Sequence, residues 1–303
     1  AGHQRDRVDA PTLAVAQPEF DLPQLEAMAL SSSRSVMAAR EQISAARYAV
    51  DSAGAFPNPE LEYLGGTSRS RGVGGNTGDA RSVTLTQPLD LPWRRSARIG
   101  AAEAGLEATT AAVRAFEADT LARLRLRYFE VLRRDVELSN TRDDLSAMEG
   151  VRSRIALRVE TGEAPRFELI KADAELLNVQ KTAQAAGFRG EQARSQLRQS
   201  VGGALPADFA LRGRLRDVPD LPPLDGLRKQ LAVTSPDLAR ARSEMVRAQY
   251  QLDLERRLRW PNVALKAGVD EDPDMRANKF GLVVSIPIWD RRSGPVGEAS
   301  AQL

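Results

Sequence analysis

FPNPELEY at residues 56–63 and WPNVALKA at residues 260–267 are two versions of one stretch, and this stretch decides the fold. A helical segment that ends in tyrosine precedes each version, AARY at 45–48 and RAQY at 247–250. Each version then continues into alternating apolar and polar residues, a polar gap and a closing segment that contains proline. The chain therefore carries an internal repeat, and each copy is predicted to read helix, strand, turn, strand, helix.

The strand signal in both copies is a two-residue alternation, which gives a strand one apolar and one polar face. It predicts two antiparallel β-hairpins with long polar loops, at 60–88 and 262–287. The pattern leaves two alternatives open: four strands that form part of a closed membrane barrel with the apolar side outward, or a small soluble sheet packed on helices. In the barrel alternative, the residues that face the membrane are Leu61, Tyr63, Val83, Leu85, Val263, Leu265, Phe280, Leu282 and Val284.

A long helical hairpin is predicted at 92–200. No proline occurs from Trp93 to Ala164, and apolar residues recur at seven-residue steps, which is typical of a coiled coil. About 70 helical residues at 1.5 Å each would span about 100 Å. A break at 161–165 contains a glycine suited to a helix end and a proline suited to a helix start. The predicted fold class is mainly α with a small antiparallel β part.

The domain organisation follows from these elements. Shorter helices are expected at 21–53 and 227–259, one before each β-hairpin. The predicted segments are an extended arm at 1–20, a first repeat at 21–203, a proline-rich linker at 204–224, and a second repeat at 225–303 that ends at the start of a second helical hairpin.

Composition excludes several function classes. The chain has no cysteine and one histidine, so disulfides, thiolate metal sites and cysteine nucleophiles are absent, and no enzyme site or cofactor site is predicted. A net charge of +2 with 28% charged residues is a mixed-sign surface rather than a nucleic-acid-binding one. No apolar run is long enough for a transmembrane helix, and the first residues lack an apolar h-region, so no signal peptide is expected among them.

Several polar groups have both a functional and a structural interpretation. His3 is interpreted as a residue without a functional role rather than as a metal ligand, because it is a single terminal histidine. Asp143 and Asp144 are interpreted as a solvated helix face rather than a cation filter. The acidic loop at 270–274 lacks the ligand spacing of a calcium loop. Seven arginines are candidates for contact with lipid phosphate or headgroups, with solvation as the structural interpretation, and they are Arg69, Arg71, Arg81, Arg94, Arg95, Arg291 and Arg292.

The chain resembles outer-membrane efflux proteins of the TolC type over nearly all of residues 21–303. The resemblance rests on the duplicated order, on QPL at 87–89 and on IPIWD at 286–290. The hairpin tip RVETGEAP at 158–165, followed by FELIKADAELL at 167–177, is most similar to the heavy-metal branch, the CzcC-like subunits.

This resemblance implies a homotrimer whose strands form one barrel in the outer membrane, in contact with its lipid, and whose helices form a periplasmic tunnel. It implies a passive conduit, with divalent heavy-metal cations as substrate, that serves a periplasmic adaptor and an inner-membrane RND pump. The tip residues it assigns to adaptor contact are Arg158, Thr161, Gly162, Glu163, Ala164 and Arg166.

The main alternative is a soluble periplasmic coiled-coil adaptor or interaction protein. An adaptor would carry glycine-rich lipoyl-like strands around its hairpin and no duplicated unit. Compared with the family, a second long hairpin is missing beyond Leu303, so we expect these 303 residues alone not to form a sealed trimeric channel. The N-terminal cysteine that carries a lipid anchor in the family is also absent, so no anchor is expected.

Overall fold

A computed structural model describes residues 17–69, 74, 76–215 and 222–303. The described chain is mainly helical with a small antiparallel sheet of four strands, which confirms the predicted fold class. It divides into two compact units, one from Ala1–Ala38 and Phe116–Pro223, the other from Ala39–Ala115 and Leu224–Leu303. The elements are β1 (Glu19–Phe20), α1 (Leu22–Ser32), α2 (Arg34–Gly54), β2 (Glu60–Arg69), β3 (Thr77–Pro88), α3 (Pro92–Glu160), α4 (Arg166–Ser200), β4 (Ala210–Leu211), α5 (Leu224–Thr234), α6 (Pro236–Arg257), β5 (Asn262–Glu271), β6 (Arg276–Ser285) and α7 (Ser293–Gln302).

The first unit has an apolar core where α1 packs on the long helices. Leu25 of α1, Leu124 of α3 and Leu197 of α4 are fully buried there. Tyr128 lies in the same cluster, and its hydroxyl donates to the backbone carbonyl of Arg212 at 2.8 Å. This bond ties the segment after α4 to the core and also satisfies the one polar atom of a buried aromatic ring.

A two-stranded parallel bridge joins the end of the predicted arm to the predicted linker. Glu19 and Phe20 pair with Ala210 and Leu211. The arm was predicted as extended and the linker as connecting, and neither prediction included this pairing. Residues 1–16 of the arm and 216–221 of the linker lie outside the described residues.

Both short helices are interrupted, although each was predicted as one continuous helix. The first helix breaks at Ser33, which has extended backbone angles, and α2 begins after it. Ser33 follows two other serines, whose hydroxyls compete for backbone hydrogen bonds. The second helix breaks at Ser235, whose side chain caps Leu238 at 3.3 Å, because Pro236 has no N–H to continue α5 into α6.

The helical hairpin packs through a seam that the heptad pattern indicated only in part. On α3 the heptad residues Leu124 and Val131 are buried, whereas Leu138 and Leu145 further along are half-buried. On α4 the buried residues are mostly small, and they are Ala172, Ala183, Ala186, Gly190, Ala193 and Leu197.

The second unit contains the sheet. Its strand order is β2-β3-β5-β6, and every neighbouring pair is antiparallel. The central pairing of β3 with β5 joins the two repeats, with Val83 opposite Val269 and Leu85 opposite Ala267. The two hairpins are therefore one continuous sheet rather than two separate ribbons.

Candidate functional site: the sheet faces and the hairpin tip

The register places all nine predicted membrane-facing residues on one face of the sheet. Directly opposite residues in antiparallel strands share a face. Leu61 lies opposite Leu85, Leu265 opposite Leu282, and the remaining residues follow the same alternation. Eight of the nine are exposed, up to 87% for Phe280, and Val263 is half-buried. No described element of this chain covers this apolar face, which is large for a protein surface in water.

The opposite face of the sheet is polar and internally paired. Lys266 lies 4.0 Å from Glu62, and Ser82 donates to Asp270 at 2.6 Å. Lys279 forms an ion pair with the same aspartate across the β5–β6 ladder. A sheet with one apolar face and one polar, charged face has the pattern of a membrane barrel wall.

A charged cluster fixes the junction where β3 passes into α3. Asp90 is almost fully buried, with 5% of its side chain exposed, and Arg98 binds both of its oxygens at 2.8 and 3.2 Å. Arg98 also donates to the carbonyl of Ala53 at 2.7 Å, and Arg95 donates to that of Gly54 at 2.6 Å. The cluster therefore joins the last turn of α2 to the first turns of α3, at the point where the chain leaves β3.

The hairpin tip between α3 and α4 is a compact turn. The carbonyl of Arg158 accepts from the amides of Glu163 at 2.8 Å and Ala164 at 3.1 Å. Gly162 has φ +79°, a left-handed conformation that favours glycine. The Thr161 hydroxyl donates back to helix carbonyls at 3.1 Å. The turn therefore satisfies the last carbonyls of α3 without using the outward surface.

Five of the six predicted contact residues are exposed at this turn, and Ala164 is the exception. Its side chain is 9% exposed, so we assign it to packing inside the turn. Three large apolar side chains next to the turn are also exposed and were not predicted as contact residues, and they are Leu157, Phe167 and Ile170. Their exposure is unusual for a coiled coil, which normally turns large apolar side chains inward, and it became visible only in the structure.

The described residues do not support the alternative metal and phosphate sites that the sequence suggested. Within the described residues, no group of three or more His, Cys, Asp or Glu side chains could hold a metal ion. In the acidic loop, Asp272 accepts from the amides of Asp274 and Met275, which is a turn-capping role. Asp143 and Asp144 are exposed on α3, and Arg69 donates to Thr77, while His3 and Arg71 lie outside the described residues. Across the described chain, no helix is both long and apolar enough to cross a membrane.

Comparison with known proteins identifies the family. The profile described as outer membrane efflux protein matches residues 25–203. The chain belongs to the outer membrane efflux protein family. It is 28% identical over 279 residues to the cobalt-zinc-cadmium resistance protein CzcC of Cupriavidus metallidurans, a match that covers 91% of this chain and 65% of CzcC. The chain thus spans just under two thirds of that relative.

Solved channels share the fold of this outer membrane efflux protein. The outer-membrane channel OprN matches with a TM-score of 0.76 at 19% identity, covering 93% of this chain and 68% of OprN. CusC matches with a TM-score of 0.74 at 20% identity, covering all of this chain and 76% of CusC. The resemblance inferred from the repeat and the tip is confirmed, and so is the outer-membrane location. Efflux is transport rather than catalysis, so the family agrees with the prediction that the protein is not an enzyme.

Proposed function

We propose that the protein is the outer-membrane channel of a tripartite efflux system, a passive conduit for divalent heavy-metal cations. The observation that carries the proposal is an uncovered apolar sheet face on the same chain as an exposed coiled-coil tip. The sheet is the part suited to the membrane, and the tip is the part suited to a protein partner. A soluble periplasmic adaptor, the earlier alternative, does not account for the apolar sheet face or for the family.

The sheet edges support assembly into a closed barrel. The strand order makes β2 and β6 the two edges, and they run in opposite directions because three antiparallel steps separate them. The β6 edge of one copy can therefore pair antiparallel with the β2 edge of the next copy. Three copies of four strands give twelve, an even number as in bacterial outer-membrane barrels, and closure removes the exposed edges.

The homotrimer can be tested by cross-linking, since the chain contains no native cysteine. Leu64→Cys on β2 and Ala277→Cys on β6 lie in one row of the polar face, Leu64–Ser82–Asp270–Ala277. With a short bis-maleimide, the double variant in outer membranes should give a ladder that ends at three chains. Each single variant is the control and should give no ladder. A ladder that ends at two, or continues beyond three, would contradict the trimer.

The exposed tip is proposed to bind the periplasmic adaptor of an inner-membrane RND pump. Arg158 and Arg166 present cations on either side of the turn, and Leu157, Phe167 and Ile170 supply apolar contact area. Interfaces with a central apolar group and flanking arginine are typical of protein partners. The turn itself is held by its own backbone bonds, so its outward surface is free for a partner.

A charge reversal at the tip tests this assignment. Arg158→Glu with Arg166→Glu should lower adaptor co-purification at least tenfold and abolish metal tolerance in cells. Arg142→Glu is the matched control, because Arg142 is also exposed on α3 and makes no ion pair within the described residues. Equal adaptor recovery from both variants would rule out the tip as the docking site. Equal outer-membrane levels must be verified by immunoblot.

The metal substrate is supported by the relative named for cobalt, zinc and cadmium resistance. Deletion of the gene should sensitise cells to these cations and leave tolerance of organic dyes unchanged, and the intact gene should restore tolerance. Sensitivity to dyes without sensitivity to metals would overturn the substrate proposal and leave the channel proposal in place.

A further inference from the structure

A tyrosine on α6 packs against a glycine on α3 and thereby joins the two repeats. A Cβ atom added at Gly100 would lie 3.1 Å from both Cδ1 and Cε1 of the Tyr250 ring, which is closer than an ordinary van der Waals contact. The ring can lie this close to the helix backbone because glycine has no side chain. Tyr250 ends the RAQY segment of the second repeat, whereas Gly100 follows the β-hairpin of the first.

The tyrosine of this contact has a counterpart in the first repeat. Tyr48 ends AARY as Tyr250 ends RAQY, and it lies six residues before the last residue of α2, while Tyr250 lies seven before the last residue of α6. Tyr48 is 71% exposed, against 46% for Tyr250. The two rings therefore have equivalent places on their helices, but no described glycine of the chain lies against Tyr48.

The glycine has a counterpart as well, on α7. RRS occurs at 94–96 and again at 291–293, and in both places a glycine stands six positions after the first arginine. The second of these is Gly297, where an added Cβ atom would meet no group of the described chain within 4 Å, its own neighbours apart. Gly294 and Ala301, on the same side of α7, are exposed too. The uncovered tyrosine thus has an uncovered glycine to match it.

The order of the helices brings this tyrosine and this glycine to one junction. Within each repeat the helix after the hairpin lies beside the helix before it, α3 beside α2 and α7 beside α6. Between the repeats α6 contacts α3, so the helices follow the order α2, α3, α6, α7, as the strands follow β2, β3, β5, β6. In a ring of copies β6 is followed by β2 of the next copy, and α7 is then followed by α2 of the next copy.

We propose that Tyr48 of one copy packs on Gly297 of the next copy, so that this pair joins neighbouring copies as Tyr250 and Gly100 join the repeats within one chain. The occupant is a second copy rather than another protein because the chain already contains the complementary contact once. Tyrosine is well suited to such a place, since it is enriched in protein interfaces and supplies a large ring. The inference rests on the proposed homotrimer and does not depend on the adaptor or on the metal substrate.

Site-specific photo-cross-linking tests the contact. The photoreactive residue p-benzoylphenylalanine replaces Tyr48 in cells that express the protein from its intact gene. Irradiation should give products of two and three chains, and the tryptic fragment that begins at Ser293 should carry the link. The same replacement at Tyr250 is the matched control. Because the contact of Tyr250 lies within one chain, this control should give an internal link and no product of higher mass.

The strand cross-link between Leu64→Cys and Ala277→Cys, measured in parallel, separates this contact from the trimer itself. A strand ladder to three chains without a link from Tyr48 would overturn the contact and leave the trimer in place. A link from Tyr48 to a different segment, or to another protein, would also overturn it. Absence of both the ladder and the link would overturn the homotrimer and this inference with it.

A substitution at the glycine gives a second readout. Gly297→Leu should remove the Tyr48 link and lower the temperature at which the trimer dissociates in mild detergent by at least about 5 °C, because the new side chain takes the place of the ring. Leucine favours a helix more than glycine does, so this loss would not come from a weakened α7. Gly226→Leu on α5 is the control, since Gly226 is exposed and an added Cβ there would meet no described group within 4 Å, its own neighbours apart. Equal dissociation temperatures for the two variants would contradict the role of Gly297.

Discussion

The Asp90–Arg98 pair should show an asymmetry between its two partners. Asp90 has 5% of its side chain exposed, whereas Arg98 has 36%. Arg98→Met removes the bidentate partner and leaves a buried carboxylate with only Arg95, at 3.4 Å. Losing one partner of a buried pair costs about 3–5 kcal/mol because it leaves an uncompensated charge, and we expect about 3 kcal/mol here, since Arg95 remains. Asp90→Asn leaves no buried charge, and the part-exposed arginine is still hydrated, so we expect about 1 kcal/mol.

A double-mutant cycle measures this asymmetry. Unfolding by denaturant, followed by circular dichroism of the purified protein, gives the free energy of each variant. The double variant should be more stable than Arg98→Met alone, because the second change removes the stranded charge, with a coupling of about 1–2 kcal/mol. Two results would contradict this reasoning: a larger loss of stability for Asp90→Asn than for Arg98→Met, or additive effects in the double variant. Either result would show that the cost does not come from an uncompensated buried carboxylate.

The remaining predictions concern the first unit. Gly202→Ala should lower Tm more than Gly203→Ala, because both have positive φ but only the former would place Cβ 2.7 Å from a backbone carbonyl oxygen of α1. Leu197→Ala, at a fully buried position, should cost about 2–5 kcal/mol in denaturant unfolding. A hydrogen bond from Arg133 lowers the pKa of Glu130. Its stabilisation is present above the unfolded pKa and is lost as pH falls through the folded pKa, so Glu130→Gln should lower Tm at neutral pH and match the parent in strong acid.

Features that depend on local periodicity could be predicted from the sequence. The alternation at Leu61, Leu85, Leu265 and Leu282 correctly placed all of them on one sheet face, because side-chain period two is a property of any strand. The turn at Gly162 was also predictable, since a glycine followed by a proline suits the end of one helix and the start of the next.

Features that depend on distant partners were not predictable in this way. Phe20 pairs with Leu211, far along the chain, and two-residue strands have no periodicity to detect. The small buried residues of α4, such as Ala186 and Gly190, give little hydrophobic signal in the sequence, so their burial was not predicted. The break at Ser33 was missed because the apolar spacing continues across it.

The two repeats hold corresponding strand-to-helix junctions with different residues. In the first repeat the cluster is Asp90 with Arg98, whereas in the second Arg292 reaches back to Glu255 on α6, with Nε at 3.1 Å. Arg292 adopts φ +52°, an uncommon left-handed conformation for a residue with a side chain, and precedes α7 directly. In the first repeat Arg98 also donates to the carbonyl of Ala53 on α2, so in both repeats an arginine that follows the hairpin binds the helix that precedes it, through a backbone carbonyl in one case and a carboxylate in the other. We infer that the duplication preserved this connection between the two helices while the residues that form it diverged.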